Sequence, residues 1–391
     1  MKVLIFCILI LGFISSCLCE RWNTNAAPTK NNVYNVIDYG ARGDGVTDDT
    51  QAFLKAWSDT CGAEGESTLL IPPNKLYLVN NVEFSGECKA KSILIQLKGK
   101  ITAPPQNAFK DKSFWIKIQY INSLTIDGSG IGEITGQGST WWACKSCPRP
   151  KILFFHSCND LSVSNLRITN SPGGHISING CNNGKFSHMN VQSPGDSPNT
   201  DGFDISASKN ILIEDSAIEV GDDCIAINGG SSYINASRLA CGPGHGISIG
   251  SLGKGNSHEI VEEVQVQNCS FTNTTNGARI KTFPGGSGYA RKIRFEQIQL
   301  TNVMNAIIID QQYGVKDAVE SAVQVSDVTY YGIKGTSAGD LAINLKCESC
   351  FNIVLDQINI VSSQPKKEAQ SYCKKFNGKI GSSTIPKVNC N

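Results

Sequence analysis

The sequence predicts an all-β chain, a single-domain right-handed parallel β-helix closed at its N-terminal end by a capping helix. Three observations predict it. First, short apolar-alternating segments rich in Val and Ile recur around Val163, Phe186, Ile213, Val266, Phe295, Val325 and Val354. Alternation with period two argues for strands. Second, those anchors are separated by 23, 27, 53, 29, 30 and 29 residues, and the 53 divides in two if Ile234 is the missing anchor. A unit recurring every ~20–50 residues, with no helical period between its strands, marks a β-solenoid. Third, Asn159, Asn182, Asn183, Asn210 and Asn268 crowd the turns. Asn tolerates left-handed backbone and can stack in ladders. A β-sandwich also uses short strands and turn residues, but it does not account for the recurrence.

The elements follow in order. Met1–Cys19 reads as an export signal: Lys2 is the positive start, Val3–Leu11 is apolar, and small residues precede Glu20. The stretch is short for a membrane span of ~20 residues. Next, Asp48-Asp49-Thr50 precedes Ala52, Phe53, Ala56 and Trp57, which share one helical face. Such a helix would plug the open apolar end of a solenoid, whose terminal repeats must be capped. The coils occupy the middle. The polar tail, about 366–391, is expected to cover the far end. At 391 residues the chain exceeds the usual domain size of ~150, but solenoids grow by adding coils. Residues 20–391 are therefore expected to form one domain.

Charge excludes some functions. Without Met1–Cys19 the 35 basic residues become 34, against 34 acidic ones. Bulk charge gives no sign of nucleic-acid binding, and no later segment is apolar enough for a membrane. Of 16 cysteines, 13 follow the leader. Cys61 with Cys88, Cys144 with Cys147, Cys224 with Cys241, Cys347 with Cys350 and Cys373 with Cys390 would close short loops, as suits an oxidising compartment. Cys158, Cys181 and Cys269 remain. Zinc binding by the Cys-x-x-Cys pairs lacks a completing histidine pair. Asn235, Asn268 and Asn273 head sequons that permit glycosylation.

The chemistry concentrates in four stretches: Asn199-Thr200-Asp201, Gly221-Asp222-Asp223, Gly244-His245-Gly246 and Arg279-Ile280-Lys281. Asp201 precedes Asp222 by 21 residues, Asp223 precedes His245 by 22, and His245 precedes Arg279 by 34. These are coil lengths, so all four groups are expected side by side. Adjacent Asp222 and Asp223 would face opposite sides of a strand unless a bend at Gly221 redirects one. Crowded carboxylates repel, so one keeps its proton, which separates acid and base roles. Splitting a glycosidic bond needs both. Arg279 and Lys281, at i and i+2, would meet an anionic group. The composite reads as an acid-catalysed hydrolase for an anionic sugar. Each piece alone is ordinary: an Asp-Asp pair is usually a solvated turn, and three carboxylates can hold calcium. Their recurrence on successive coils is what argues for a site.

Together with Ser197–Asp201, Gly221–Cys224, Cys241–Gly250 and Asn276–Thr282, the stretch Tyr39–Asp49 and the run Gln311–Gly314 resemble the polygalacturonase family of glycoside hydrolases in its plant form. The resemblance runs from about Val33 to Asp310 and more weakly beyond. It implies hydrolysis of α-1,4-linked galacturonan, the backbone of pectin, with inversion. It implies Asp222 as general acid, Asp201 and Asp223 as the pair activating water, and His245 as the tuning histidine. Arg279 and Lys281 would grip a galacturonate carboxylate, Tyr313 would line the sugar site, and Asn199 would support the cleft. No metal or organic cofactor is implied. The implied enzyme is a secreted, monomeric cell-wall protein. Endo-action is favoured because no long insertion interrupts the central coils. Exo-action, a hydrolase of rhamnose- or xylose-bearing pectin, and a non-catalytic pectin-binding wall protein remain as alternatives.

Overall fold

Successive coils lie directly on one another, and hydrogen bonds between coils take up the backbone of nearly every strand. The computed structural model describes residues 32–109, 111–144, 146–314 and 323–390; the expected export signal lies outside them. One ladder is an eleven-stranded parallel sheet from Val82–Ser85 to Gln370–Lys374 in strict chain order. The other is a 23-stranded parallel sheet with two faces. Bent strands join those faces: Asn159–Thr169 pairs with both Asn182–Ser187 and Asn190–Gln192 of the next coil. The architecture is the right-handed parallel β-helix that the periodicity predicts.

Inside the coil, one row of side chains runs Val163, Phe186, Ile213, Ala236, Val266, Phe295, Tyr330, Leu355. Three predicted anchors therefore shift. Ile234 stacks on Ile211 instead, so the row passes through Ala236. Val325 pairs with Ala290 and Val354 with Thr329. The displaced anchors are apolar, as Ala236 and Leu355 on the row are, so hydropathy alone does not choose between them; the backbone register does. The rings of Phe155, Phe186 and Phe203 meet edge to face at 5.8 and 5.6 Å. Asn268 and Asn273, just past strand ends, and Asn165, Asn183, Asn210 and Asn302, at bends within strands, adopt positive φ. Side-chain amides pair from coil to coil, as from Asn159 to Asn122 and from Asn210 to Asn182.

The capping helix α1 spans Thr50–Gly62. It buries Ala52, Phe53, Ala56 and Trp57, with Trp57 against Phe84 and Phe53 against Tyr77. Asp49 begins the helix, yet its carboxylate accepts from the backbone amides of Arg42 and Gly43. The Tyr39–Asp49 signature is thus a turn held by its own acid. At the far end the tail is built into the coil. Gln370–Lys374 and Gly378–Ile380 add a further strand to each sheet, so the tail is another coil. All five expected disulfides are present, with S–S distances of 1.96–2.10 Å. Cys158, Cys181 and Cys269 are free and buried.

Phe186 is fully buried between two rings. Phe186→Ala should cost ~3–5 kcal/mol, while a leucine there should cost less. Chemical denaturation of the two variants checks this; equal losses would mean that the coil interior collapses onto any side chain.

Candidate active site

The site lies where the chain turns onto the eleven-stranded sheet. Asp201, Asp223 and His245 each stand two residues before Phe203, Ile225 and Ile247, which pair in register. Three equivalent positions of three consecutive coils therefore carry an acid, an acid and a histidine. Parallel strands are ~4.8 Å apart, so these groups are immediate neighbours. Asp222 and Asp223 sit in the turn ahead of the strand Ile225–Ile227, which frees both from strand alternation. Gly221 makes that turn possible: a Cβ there would lie 1.9 Å from the Ser197 carbonyl oxygen. Gly246, at φ 82°, is confined the same way by the Asn276 carbonyl.

Asp223 is buried and doubly clamped. Arg279 Nη2 donates to its Oδ1 and Lys281 Nζ to its Oδ2, the latter at 2.8 Å. Ser248 Oγ donates to Asp223 Oδ1 at 2.9 Å and accepts from Arg279 Nε at 2.7 Å. A buried carboxylate costs several kcal/mol unless its charge is matched, and two cations with a hydroxyl match it. Lys281 Nζ also lies 5.3 Å from the centre of the Tyr313 ring, and that ring stands against Phe283. In the free protein, then, the partner of Arg279 and Lys281 is Asp223.

Asp222 has a different setting. His245 Nδ1 is 2.8 Å from its Oδ1, and Asn199 Nδ2 donates to its Oδ2 at 3.2 Å. Burial pushes its pKa up, but the His245 hydrogen bond and charge, with Lys281, outweigh burial and hold it below the ordinary range. Asp201 is the opposite. Burial first, then the charges of Asp204, Asp222 and Asp223, push its pKa far above the ordinary range. Three neighbouring carboxyls thus sit in different environments: burial and like charges favour the neutral form of Asp201, His245 and Lys281 favour the ionised form of Asp222, and Asp223 is paired with two cations. Of the three carboxyls, the one whose surroundings favour a retained proton in the free protein is Asp201.

Several neighbours escape sequence reasoning. Ser248 lies inside a quoted motif with no role given. Asp204 is raised chiefly by burial, against the lowering charge of Lys151, and Lys151 Nζ is 3.3 Å away; its outward place between Phe203 and Ile205 could have revealed it. His175 is fully buried, one coil before Asp201. Its Nδ1 is 2.9 Å from the Asp201 carbonyl oxygen and its Nε2 is 2.9 Å from Ser193 Oγ. Burial lowers its pKa to about 4, so at neutral pH Nδ1–H donates to the carbonyl and Nε2 accepts. No motif marks it.

Asp222, Asp223 and His245 offer ligand atoms within 4.8 Å of one another. A cation placed there would face Arg279 and Lys281 across Asp223, so the trio suits proton transfer better than metal binding. The same spacing puts Asp222 and Asp223 nearer than the ~6.5–9.5 Å general for inverting carboxylate pairs. A water gripped by two bases at once would relax that rule.

Residues 61–384 match the model of glycosyl hydrolases family 28. The chain is 45% identical over 374 residues to a probable polygalacturonase of Arabidopsis thaliana, covering 93% of this chain and 81% of that protein. It is 42% identical over 385 residues to a polygalacturonase of Persea americana, covering 93% and 82%. Among solved structures it resembles an endo-xylogalacturonan hydrolase from Aspergillus tubingensis, with TM-score 0.80 and 26% identity, covering 92% of this chain and 98% of that one.

A carboxyl whose folded pKa is raised favours folding at low pH, and that contribution is lost as pH rises through the folded value. Asp201 should therefore burden the fold at neutral pH, where the unfolded carboxyl is ionised and the folded site disfavours that charge. Asp201→Asn should raise Tm at pH 7, with the gain fading as pH falls toward about 4, near the unperturbed carboxylate value. Tm measured from about pH 3.5 to about pH 8, upward from the unperturbed carboxylate value, checks it; a pH-independent difference would place the stabilisation elsewhere.

Proposed function

The chain belongs to glycosyl hydrolases family 28, and on that premise we propose that it is a polygalacturonase hydrolysing α-1,4-linked galacturonate in pectin. The observation that carries the reading is the cluster Asp201, Asp222 and Asp223, flanked by His245 on one coil and by Arg279 and Lys281 on the next. Three carboxylates supply acid and base; two cations suit a sugar that carries a carboxylate at every unit. A guanidinium keeps spare N–H donors for such a group even while it holds Asp223.

Asp222 is the proposed general acid, and it must gain a proton first. Its pKa is held down partly by Lys281 and His245. An arriving galacturonate carboxylate would draw on the charge of Lys281 and Arg279 and add a negative charge of its own. Both effects raise Asp222. Protonation of Asp222 in turn removes one of the charges that raise the pKa of Asp201, so Asp201 can give up its proton and serve as base. One proton is thus redistributed between coupled carboxyls. Asp222, steadied by Asn199 and His245, then protonates the glycosidic oxygen. Asp201 and Asp223 take the proton of the attacking water, and the sugar departs with inverted configuration. Tyr313 forms one wall of the sugar site. The protein works as a secreted monomer in the plant cell wall, in endo mode.

Three measurements test this. A product chromatogram on polygalacturonate should show mixed oligomers; monomer alone would mean exo-action, and release only from xylogalacturonan would favour the alternative substrate. NMR of the first product should show the β-anomer at the new reducing end, whereas the α-anomer would mean retention. Asp222→Asn should lower kcat by ~10²–10⁴ with KM little changed. Lys281→Met should raise KM and also lower kcat, because Asp223 loses a partner. A near-normal rate for Asp222→Asn would move the acid role to Asp201 or Asp223.

A further inference from the structure

Arg-Pro-Lys at 149–151 repeats the form of Arg-Ile-Lys at 279–281, on the opposite flank of the carboxylate cluster. We propose that Arg149 and Lys151 form a second carboxylate-binding site, taking another galacturonate of the same substrate chain. The proposal rests on the polygalacturonase reading and extends it.

The two pairs bracket the site. Along the eleven-stranded sheet the order is Lys151–His156, Ile176–Asn179, Phe203–Ser206, Ile225–Ile227, Ile247–Leu252, Asn276–Thr282. Five strand spacings separate the first from the last, roughly 24 Å at ~4.8 Å each. The Asp201 and Asp222–Asp223 coils lie between. A polyanion threaded along the sheet therefore meets cations on both sides of the bond to be broken.

Arg149 carries the signature of an anion site awaiting its charge. It is half-buried, and its partners are neutral oxygens: Nη2 donates to Asn199 Oδ1 at 2.6 Å and Nη1 to the Cys144 carbonyl at 3.4 Å. No ion pair joins it to an acid among the described residues. Burial lowers its pKa, as it does for a cation whose lost hydration nothing replaces. Evolution of a packed surface normally matches such a charge or removes it. Through Asn199 the guanidinium is also two hydrogen bonds from Asp222, which places it beside the reacting sugar. Lys151 Nζ meets Asp204 at 3.3 Å and Ser177 Oγ at 3.1 Å. An ammonium has three donors, so one is left, and the side chain is 39% exposed.

The simpler role for Lys151 is to neutralise Asp204, and the test separates the two. In an Asp222→Asn background, which binds without cleaving, calorimetry measures Kd for hexagalacturonate. Adding Lys151→Met or Arg149→Gln should weaken binding by roughly tenfold or more, as expected for a charge-assisted contact. Binding of a fully methyl-esterified hexamer should not change. Lys151→Arg, which keeps the charge, should stay within about threefold, and thermal melting identifies any variant that fails to fold. With Asp222 intact, Lys151→Met should also shift the preferred cleavage position along end-labelled hexagalacturonate. Unchanged Kd and cleavage positions in both variants would overturn the site. So would full recovery of binding in Lys151→Met/Asp204→Asn, which would leave Lys151 as the partner of Asp204 alone. If the wild type releases nothing from polygalacturonate, the enzymatic reading fails by itself; the Kd comparison then still decides whether these cations bind the anionic chain.

Discussion

Each coil rests on the previous one through a parallel hydrogen-bonded ladder, and that constant step of ~4.8 Å governs everything else in the molecule. It forces like positions into rows. Inside, the rows must be apolar and of compatible size, as in the ring sequence Phe155, Phe186, Phe203. At the turns they favour residues that accept left-handed backbone, hence the repeated asparagines. On the outside the step brings together groups that are 20 to 35 residues apart in the chain. An enzyme on this scaffold needs no long-range loop to assemble its site, because one position per coil suffices.

Stacking like charges at that distance has a consequence. Asp201, Asp222 and Asp223 occupy neighbouring turns, and water alone does not screen them in a partly buried cleft. The fold answers with three different environments. Asp223 receives Arg279, Lys281 and Ser248. Asp222 receives His245 and Asn199. Among the described residues no ion pair joins Asp201 to a cation, and burial with its neighbours' charges pushes its pKa up. The disparity strains the folded state, yet it is what separates acid from base among chemically identical side chains. His175 fits the same logic from below: a neutral buried imidazole fixes the Asp201 backbone without adding a charge to the cluster.

Local pattern revealed the fold well. Alternation and interval identified strands and coils, and α1 occurs where its apolar face was read, at Ala52, Phe53, Ala56 and Trp57. The misreadings are of register. Ile234 looked a better anchor than Ala236 because it is more apolar, but the ladder places Ala236 on the row. The polar, lysine-rich tail reads as a cover, and what its composition does not show is that its backbone lies there as a further paired coil. Hydropathy reports which side of a strand is buried, while register depends on turn lengths that the pattern leaves open.

For the site, the sequence by itself determined the residue types, their order and their approximate interval. Asp201, Asp222, Asp223, His245, Arg279 and Lys281 were all legible, since a coil repeat converts spacing into adjacency. Only the tertiary structure decided who partners whom. It turned Arg279 and Lys281 onto Asp223, pushed up the pKa of Asp201, recruited Asp204, His175 and Arg149 from positions without a motif, and gave Ser248 a part within one. The physical reason is that hydrogen bonds and pKa values depend on differences of an ångström in position and on burial. Both are set by the packing of several coils at once and by no single stretch of the chain.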